Sequence, residues 1–370
     1  MKRVVLLGGG HSHLEVVRRF GASQATHAEV TLVDPAQFAT YSGMLPGLIA
    51  GHYSFQDCHV DLARLAQHCR VRFLQQGACG IDTARRQVAL SDGTLLDYDL
   101  VSLDVGSTPP TAGIPGAAEH AVAVKPFIAF AQRWDRLVAS AEAGKMRNLV
   151  VIGGGAAGLE LVLAMRHRLA RAAAGRSIHC TVVTDAPCVL PDHNARARAA
   201  MERVLGGRNI AVQVNSPVMR VESAAVVLSG ATRIASDATI WATGAGAPSW
   251  LATTGLALDA HGFIRVDECL SSIANREIFA AGDCATIEGH RYPKSGVYAV
   301  RPGPVLAENL QRALAGERLS PYRPRARALA LISTGNRYAV ASYGRIAFEG
   351  AWVWRWKDYI DRKFMRRYRA

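Results

Sequence analysis

Unbroken apolar runs followed by glycines and then by a helical period occur twice along the chain. The first, Val4-Val5-Leu6-Leu7, predicts a buried strand; Gly8-Gly9-Gly10 follows, and Leu14, Val17 and Phe20 supply one face of a helix. Val30-Thr31-Leu32-Val33-Asp34 predicts a second strand, parallel to the first. The second run, Leu149-Val150-Val151-Ile152, precedes Gly153-Gly154-Gly155-Ala156-Ala157-Gly158, a helix reaching Leu169, and the strand Cys180-Thr181-Val182-Val183-Thr184-Asp185. The elements come in the same order, so the chain carries a degenerate internal repeat and two nucleotide folds are implied.

Between the repeats, residues 87–94 read as a hairpin with its turn at Asp92-Gly93, and residues 98–104 as a strand leading out of the first domain. Pro109, Pro110 and Pro115 mark a linker. After Ala242-Thr243-Gly244 the chain is expected to cross back, with Ile278-Phe279-Ala280-Ala281 returning as a strand and a helix near residues 305–314. The predicted fold is α/β with two Rossmann-like dinucleotide-binding domains and a C-terminal α+β segment. The first domain is discontinuous, 1–112 and 250–319; the second covers 113–249; the third segment is 320–370.

Charge changes the picture at one end only. Of a net +13, the stretch from Arg318 to Ala370 holds 13 Lys or Arg against 3 Asp or Glu, leaving +3 for the rest. No apolar stretch approaches the roughly 18 residues that cross a bilayer. Met1 to Leu7 imitates a signal peptide but runs directly into the glycines, so it is read as a strand. The seven cysteines show no CxxC spacing, which points to a reducing compartment and no zinc ribbon.

A dinucleotide pyrophosphate needs backbone N–H groups brought close, which calls for residues without a Cβ, and gains from the positive end of the helix that follows. Gly153, Gly155 and Gly158 fit GxGxxG in full, whereas the first loop has Gly8 and Gly10 but His13 in third place. One such loop could be a tight turn; two in matched settings argue for nucleotide binding. An acid at the end of the second strand binds ribose hydroxyls, and Asp34, 26 positions after Gly8, meets that spacing. Thr184 stands in the equivalent place, with Asp185 beside it and no nearby Arg for a 2′-phosphate, so NAD and NADP are not distinguished. His11 and His13 open a helix, where contact with the pyrophosphate is expected and no metal.

Ile278-Phe279-Ala280-Ala281-Gly282-Asp283-Cys284-Ala285 resembles the second FAD motif of the pyridine nucleotide-disulfide oxidoreductases. The resemblance implies FAD, with Asp283 accepting from the ribityl chain and Gly282 allowing close approach. Residues 98–109 and 237–244 resemble that family's domain-crossing Ala-Thr-Gly motif. In the first, Asp104-Val105-Gly106 departs from it and only Gly106 carries over; the second, ending at Gly244, is intact. The CxxxxC pair of the disulfide branch is missing, so dithiol chemistry is not expected. Cys188 and Cys269, weighed against the cysteines of sulfide:quinone oxidoreductases, are expected to be buried and structural.

Residues 38–46 resemble the flavin-side loop of type II NADH dehydrogenases, which adds Tyr41, Ser42 and Gly43 to the cofactor site. Gly158-Leu159-Glu160 resembles their Gly-x-Glu, which puts Glu160 near the nicotinamide. Their quinone-side Ala-Gln motif has no counterpart in residues 292–301, leaving the acceptor open. Gly8 to His13, Val124-Lys125-Pro126 and residues 356–365 resemble, over nearly the whole chain, a flavoprotein family fused to or encoded beside selenide, water dikinase. Lys294, near the helix after Asp283, is expected to stabilise the reduced flavin's N1 and C2=O locus.

In the tail, Trp352, Trp356, Ile360, Phe364 and Tyr368 recur every fourth residue and predict one helical stripe, with arginines on the remaining surface. Two readings stand: a peripheral membrane contact through 352–369 that serves a quinone, or packing on the protein or a second subunit. The leading functional expectation is an FAD-dependent oxidoreductase passing hydride from NAD(P)H to flavin and then electrons to a quinone or other small acceptor. Glu160 and Lys294 are its catalytic candidates. One alternative is a sulfide- or selenide-oxidising flavoprotein without NAD(P)H; another is a flavin-bound protein whose basic tail contacts nucleic acid, though no nucleic-acid motif accompanies it. The expected location is cytoplasmic, with the membrane contact on the cytoplasmic face; oligomeric state stays open.

Overall fold

The computed structural model describes residues 1–22, 28–111, 113–325 and 327–369. Lys2–Leu7 pairs in parallel with Ala28–Val33 on one side and Leu100–Leu103 on the other. Arg72–Leu74 and Ile278–Ala280 extend the sheet at its two edges, also in parallel. Val4 to Leu7 are all buried, as a strand covered on both faces requires. The helix His11–Ala22 turns Leu14, Val16, Val17 and Phe20 inward and packs beside Gly303–Ala315. The chain therefore leaves this sheet and returns some 170 residues later, as its apolar runs predict: Leu103 ends one strand and Ile278 begins the next.

The second sheet repeats the arrangement. Asn148–Ile152 lies between His179–Val183 and Ala238–Trp241, with Ile210–Gln213 and Ala121–Ala123 outside them, all parallel. In each sheet a three-stranded antiparallel meander precedes the return strand. The first is Ala78–Asp82, Gln87–Leu90 and Leu95–Asp97; the second is Val218–Glu222, Ala225–Leu228 and Arg233–Ala235. The Asp92-Gly93 turn forms as its residues predict, Gly93 taking φ +86°. The second meander went unpredicted because its first turn, through Ser223 and Ala224, carries no glycine.

The repeat extends to individual backbone bonds. Gly8 N donates to Val33 O at 2.8 Å and Gly153 N to Val183 O at 2.8 Å. A Cβ on Gly8 would lie 2.4 Å from Asp104 O, and one on Gly153 the same 2.4 Å from Ala242 O. Each loop thus turns in contact with the end of the return strand, where a side chain cannot fit. The two connections between the sheets run antiparallel, Thr108 and Gly246 exchanging N–H···O bonds of 2.8 and 2.7 Å.

Ala330–Thr334, Asn336–Tyr343 and Ile346–Gly350 form a third antiparallel meander that continues into the helix Ala351–Met365. Ile332 and Val340 join the core under the helix Ala156–Ala172. The single aromatic stripe expected of the tail is corrected. A row of every fourth residue drifts about 40° per step around a helix. Trp352, Trp356 and Ile360 are exposed, whereas Phe364 and Tyr368 have turned inward, 6% and 4% exposed. Phe364 stacks on Tyr41 with ring centroids 4.4 Å apart, and the Tyr368 hydroxyl donates to Glu15 Oε2 at 3.1 Å. Among the described residues no helix is long and apolar enough to cross a membrane.

Gly158 decides how closely the second-loop helix meets its strand: a Cβ there would lie 2.0 Å from Gly153 O. Alanine's higher helix propensity would contribute about 1 kcal/mol if the helix could give way. Backbone has nowhere to move at 2.0 Å, so Gly158→Ala is expected to lower Tm by about 5 °C or more. A thermal melt showing a raised Tm would refute this packing.

Candidate functional site

Both glycine loops sit where strand order reverses in their sheets, the place where open parallel sheets form ligand clefts. In the first, Asp34 at the end of the second strand accepts from Gly9 N at 2.6 Å through Oδ2 and from Ala36 N at 2.7 Å through Oδ1. Burial raises its pKa and these two amides oppose the shift. Thr184 takes the equivalent place in the second loop, its Oγ1 accepting from Ala186 N at 3.2 Å. A Cβ on Gly154 would meet Thr184 at 2.8 Å, as one on Gly9 would approach Asp34 at 3.3 Å. The second loop therefore keeps the geometry and lacks the charge.

Asp104, which replaces the alanine of the expected Ala-Thr-Gly, is the residue that shapes the first loop. Its Oδ2 accepts from Ser12 N at 2.8 Å and His13 N at 3.1 Å, capping the helix His11–Ala22. Gly10 and Gly282 pack on the same carboxyl: a Cβ on either would fall 2.2 Å from it. The side chain is 3% exposed. Burial pushes its pKa up to about 8 against the His13 and Ser12 amides, and Asp283 and Asp34 push the same way. The sequence marked this position only as a departure from a motif.

The histidines divide. His13 is buried with Nδ1 2.6 Å from Gly8 O and Nε2 2.8 Å from Ser102 Oγ, so its ring is used within the protein. It ties helix to sheet in place of the third glycine. His11 lies against Tyr41 and Phe364, and its Nε2 is buried without a partner among the described residues. Burial lowers the pKa of His11 to about 4, with Asp283 opposing and Lys125 assisting.

Asp283 stands at the end of the returning strand as its motif predicts, with Gly282 at φ +70° before it. The cation that meets it is Lys125, Nζ to Oδ2 3.0 Å, not Lys294. Lys294 donates to Ala285 O and to Thr286 Oγ1 and lies 4.3 Å over the Phe263 ring. Its ammonium thus bonds to the strand after Asp283. Gly106, at φ +72°, and Gly244 lie on the two connections between the sheets.

Tyr41 precedes a single helical turn, Ser42–Met44, held from below by the C-terminal helix. The Tyr41 hydroxyl donates to Asp361 Oδ1 at 3.1 Å, and Lys357 Nζ donates to Gly43 O at 2.5 Å and to Asp361 Oδ2 at 2.7 Å. Ser42 Oγ would lie 2.9 Å from a Cβ on Gly296, so this turn and the helix Gly296–Val300 face each other closely. Glu160, in the second turn of the Ala156–Ala172 helix, accepts from Ser333 N at 2.8 Å and Ser333 Oγ at 3.1 Å. Burial raises the Glu160 pKa, partly offset by the charge of Lys357 and the Ser333 bonds. Burial works against the Lys357 charge too, but Asp361 and Glu160 outweigh it and its pKa is raised. A narrow cleft beside this group is lined by Gly43, His52, Tyr53, Ser333, Trp354 and Lys357. Lys357 and Asp361 were not singled out, because the tail was read from its aromatic stripe and its arginines; their four-residue spacing was the available signal.

All seven cysteines are free, and Cys188 and Cys269, expected to be buried, are partly exposed. Among the described residues no cluster of His, Cys, Asp or Glu could hold a metal.

These residues fit a flavin dinucleotide. Gly8, Gly10 and Gly282 are positions a Cβ would close, and Asp34 and Asp283 stand where ribose and ribityl hydroxyls need acceptors. The orphaned His11 Nε2 is a further polar group for the chain between them.

The Asp104 shift has a measurable sign. Its proton is held more tightly in the folded chain than in the unfolded one, where an aspartate titrates near ~4. Its contribution to stability is therefore full below that pH and is lost as pH rises to about 8. Asp104→Asn does not titrate, so the difference in Tm between variant and parent should move in the variant's favour from about pH 5 to about pH 9. A constant difference would mean that Asp104 stays ionised throughout.

Comparison with known proteins places this geometry. Over 337 residues, 85% of this chain and 83% of the relative, the chain is 22% identical to a type II NADH:quinone oxidoreductase of Staphylococcus aureus. Among solved structures, the sulfide:quinone oxidoreductase of Aquifex aeolicus superposes with a TM-score of 0.85 at 19% identity, covering 100% of this chain and 92% of that one. NDH2 of Plasmodium falciparum in complex with NADH gives a TM-score of 0.79 at 15% identity, covering 99% and 98%. Residues 2–303 match the family model of the pyridine nucleotide-disulphide oxidoreductases, and with both loops, both crossings and Asp283 in place, the chain belongs to that family.

Proposed function

We propose that this chain is an FAD-dependent oxidoreductase that takes hydride from a nicotinamide dinucleotide and passes electrons to a quinone. In this reading Gly8, Gly10, His11, Asp34, Gly282 and Asp283 hold FAD, within residues 1–112 and 250–319. Gly153, Gly155 and Gly158 hold the pyrophosphate of the nicotinamide substrate, within residues 113–249. FAD, when bound, supplies a centre that accepts hydride and gives up two electrons.

The observation that carries the reading is the junction of Glu160, Lys357 and Gly43. It brings the helix rising from the second glycine loop, the flavin-side turn and the C-terminal cover together around the buried Lys357. Reducing a quinone to a quinol takes two protons as well as two electrons. Glu160, its pKa raised, can hold a proton at a carboxyl oxygen, and Lys357 holds one at Nζ. Lys357 is buried and Glu160 half-buried, which limits the access of bulk water to the place where the two substrates would meet.

The same cover presents an apolar surface. Tyr343, Ile346, Phe348, Trp352, Trp356 and Tyr359 are exposed on the last hairpin and helix, with Phe348 and Trp352 rings 6.1 Å apart. Arg345, Arg355, Lys363, Arg366 and Arg367 are exposed around them. Aromatic rings ringed by cations suit the interface of an anionic bilayer, where a lipid-soluble quinone resides.

Anaerobic mixing with NADH should bleach the visible flavin band, and added quinone should restore it. Flavin that stays oxidised with NADH but is bleached by sulfide would overturn the nicotinamide reading. In a vesicle sedimentation assay, the double variant Trp352→Asp, Trp356→Asp is expected to bind anionic vesicles about tenfold less than the parent. Equal binding would remove the membrane contact from the proposal.

A further inference from the structure

Two distant segments converge on Asp283. Ser107, on the connection leaving the first sheet, donates from Oγ to Asp283 Oδ2 at 3.1 Å. Lys125, two residues past the edge strand Ala121–Ala123 of the second sheet, donates from Nζ to the same Oδ2 at 3.0 Å and to Ser107 Oγ at 2.6 Å. The triangle is closed and all of its bonds to the carboxylate fall on one oxygen. Oδ1 accepts no hydrogen bond among the described residues. The carboxylate is 15% exposed and the lysine 31%, so the pair is shielded on the carboxylate side while the ammonium keeps contact with solvent.

We propose that Lys125 is a positioning residue for the flavin: by holding Oδ2 it fixes the Asp283 carboxylate with Oδ1 free to accept from a polyol hydroxyl. An unrestrained carboxylate rotates between its two oxygens, and a charge-assisted bond to one of them removes that freedom before a ligand arrives. Lys125 is the one corner of the triangle that belongs to the second sheet. Retention of the cofactor by the first domain therefore depends on the second domain being docked against it.

The proposal rests on the reading that Asp283 faces FAD, and the two can fail separately. Holoenzyme is diluted and flavin release is followed by its fluorescence. Lys125→Met is expected to release FAD about tenfold faster than the parent, and Lys125→Arg, which keeps the charge and a donor, within about twofold of it. Because Lys125 acts through Asp283, adding Lys125→Met to Asp283→Asn should change the rate no further. Ser107→Ala removes one corner without altering charge and is expected to release FAD about threefold faster; it decides the matter if Lys125→Met does not fold. Parental release rates in Lys125→Met or, failing that variant, in Ser107→Ala overturn the proposal. So do effects of Lys125→Met and Asp283→Asn that multiply. A parent chain that takes up no FAD at all overturns the flavin reading, and this one with it.

Discussion

Backbone must touch backbone at the end of each first strand, and most of this architecture follows from that contact. Gly8 meets the carbonyl of Asp104 and Gly153 that of Ala242 at separations no Cβ would survive. The contact brings the glycine loop, the following helix and the return strand to one point in each sheet, so amides, a helix start and a strand end share a single cleft. It also explains why the same spacing of apolar run, glycines and helix recurs in a chain whose two halves otherwise differ. The geometry is fixed locally, and the chemistry at its rim is free to vary: a carboxylate at Asp34, a hydroxyl at Thr184.

That division sets what could be read from the residues alone. Strands such as Val4 to Leu7 and Leu149 to Ile152 are short, wholly apolar and bounded by glycine, so burial on both faces leaves one interpretation. Asp283 was legible because the residues leading to it are constrained, Gly282 by φ and Ile278 to Ala280 by the sheet. The contacts of Lys294 were not legible, because nearness in sequence to a predicted helix says nothing of which way a long side chain turns. The ammonium took the nearest carbonyl, Ala285 O. Lys125 and Lys357 were hidden for the converse reason, since each meets partners more than 150 positions away. A periodic tail read as one stripe failed on arithmetic: four residues are slightly more than a turn, and over three turns the excess carries a row from solvent to core.

The C-terminal helix has two occupations on its two faces. Inward, Lys357, Asp361 and Phe364, with Tyr368 just past the helix end, close over the turn Ser42–Met44 and the first helix; outward, Trp352, Trp356 and Tyr359 meet solvent. An acceptor approaching from that outer face would meet the protein at the element that also supports Tyr41 and Gly43. Substitutions on the outer face therefore act on a rigid support and need not reach the buried one.

Tyr368 and Glu15 bond across 353 positions of sequence, and the first sheet waits for Ile278–Ala280 before its edge is covered. The second sheet is contiguous, complete once Trp241 has been made. At synthesis rates of about 5–20 residues per second, Leu100–Leu103 waits roughly 9 to 35 s for the strand that pairs with its open edge. The domain whose strands come first in the chain is thus the later of the two to be finished. During that interval its open edge is a liability of nascent life on the ribosome, and the flavin cannot serve as a folding core until most of the protein already exists.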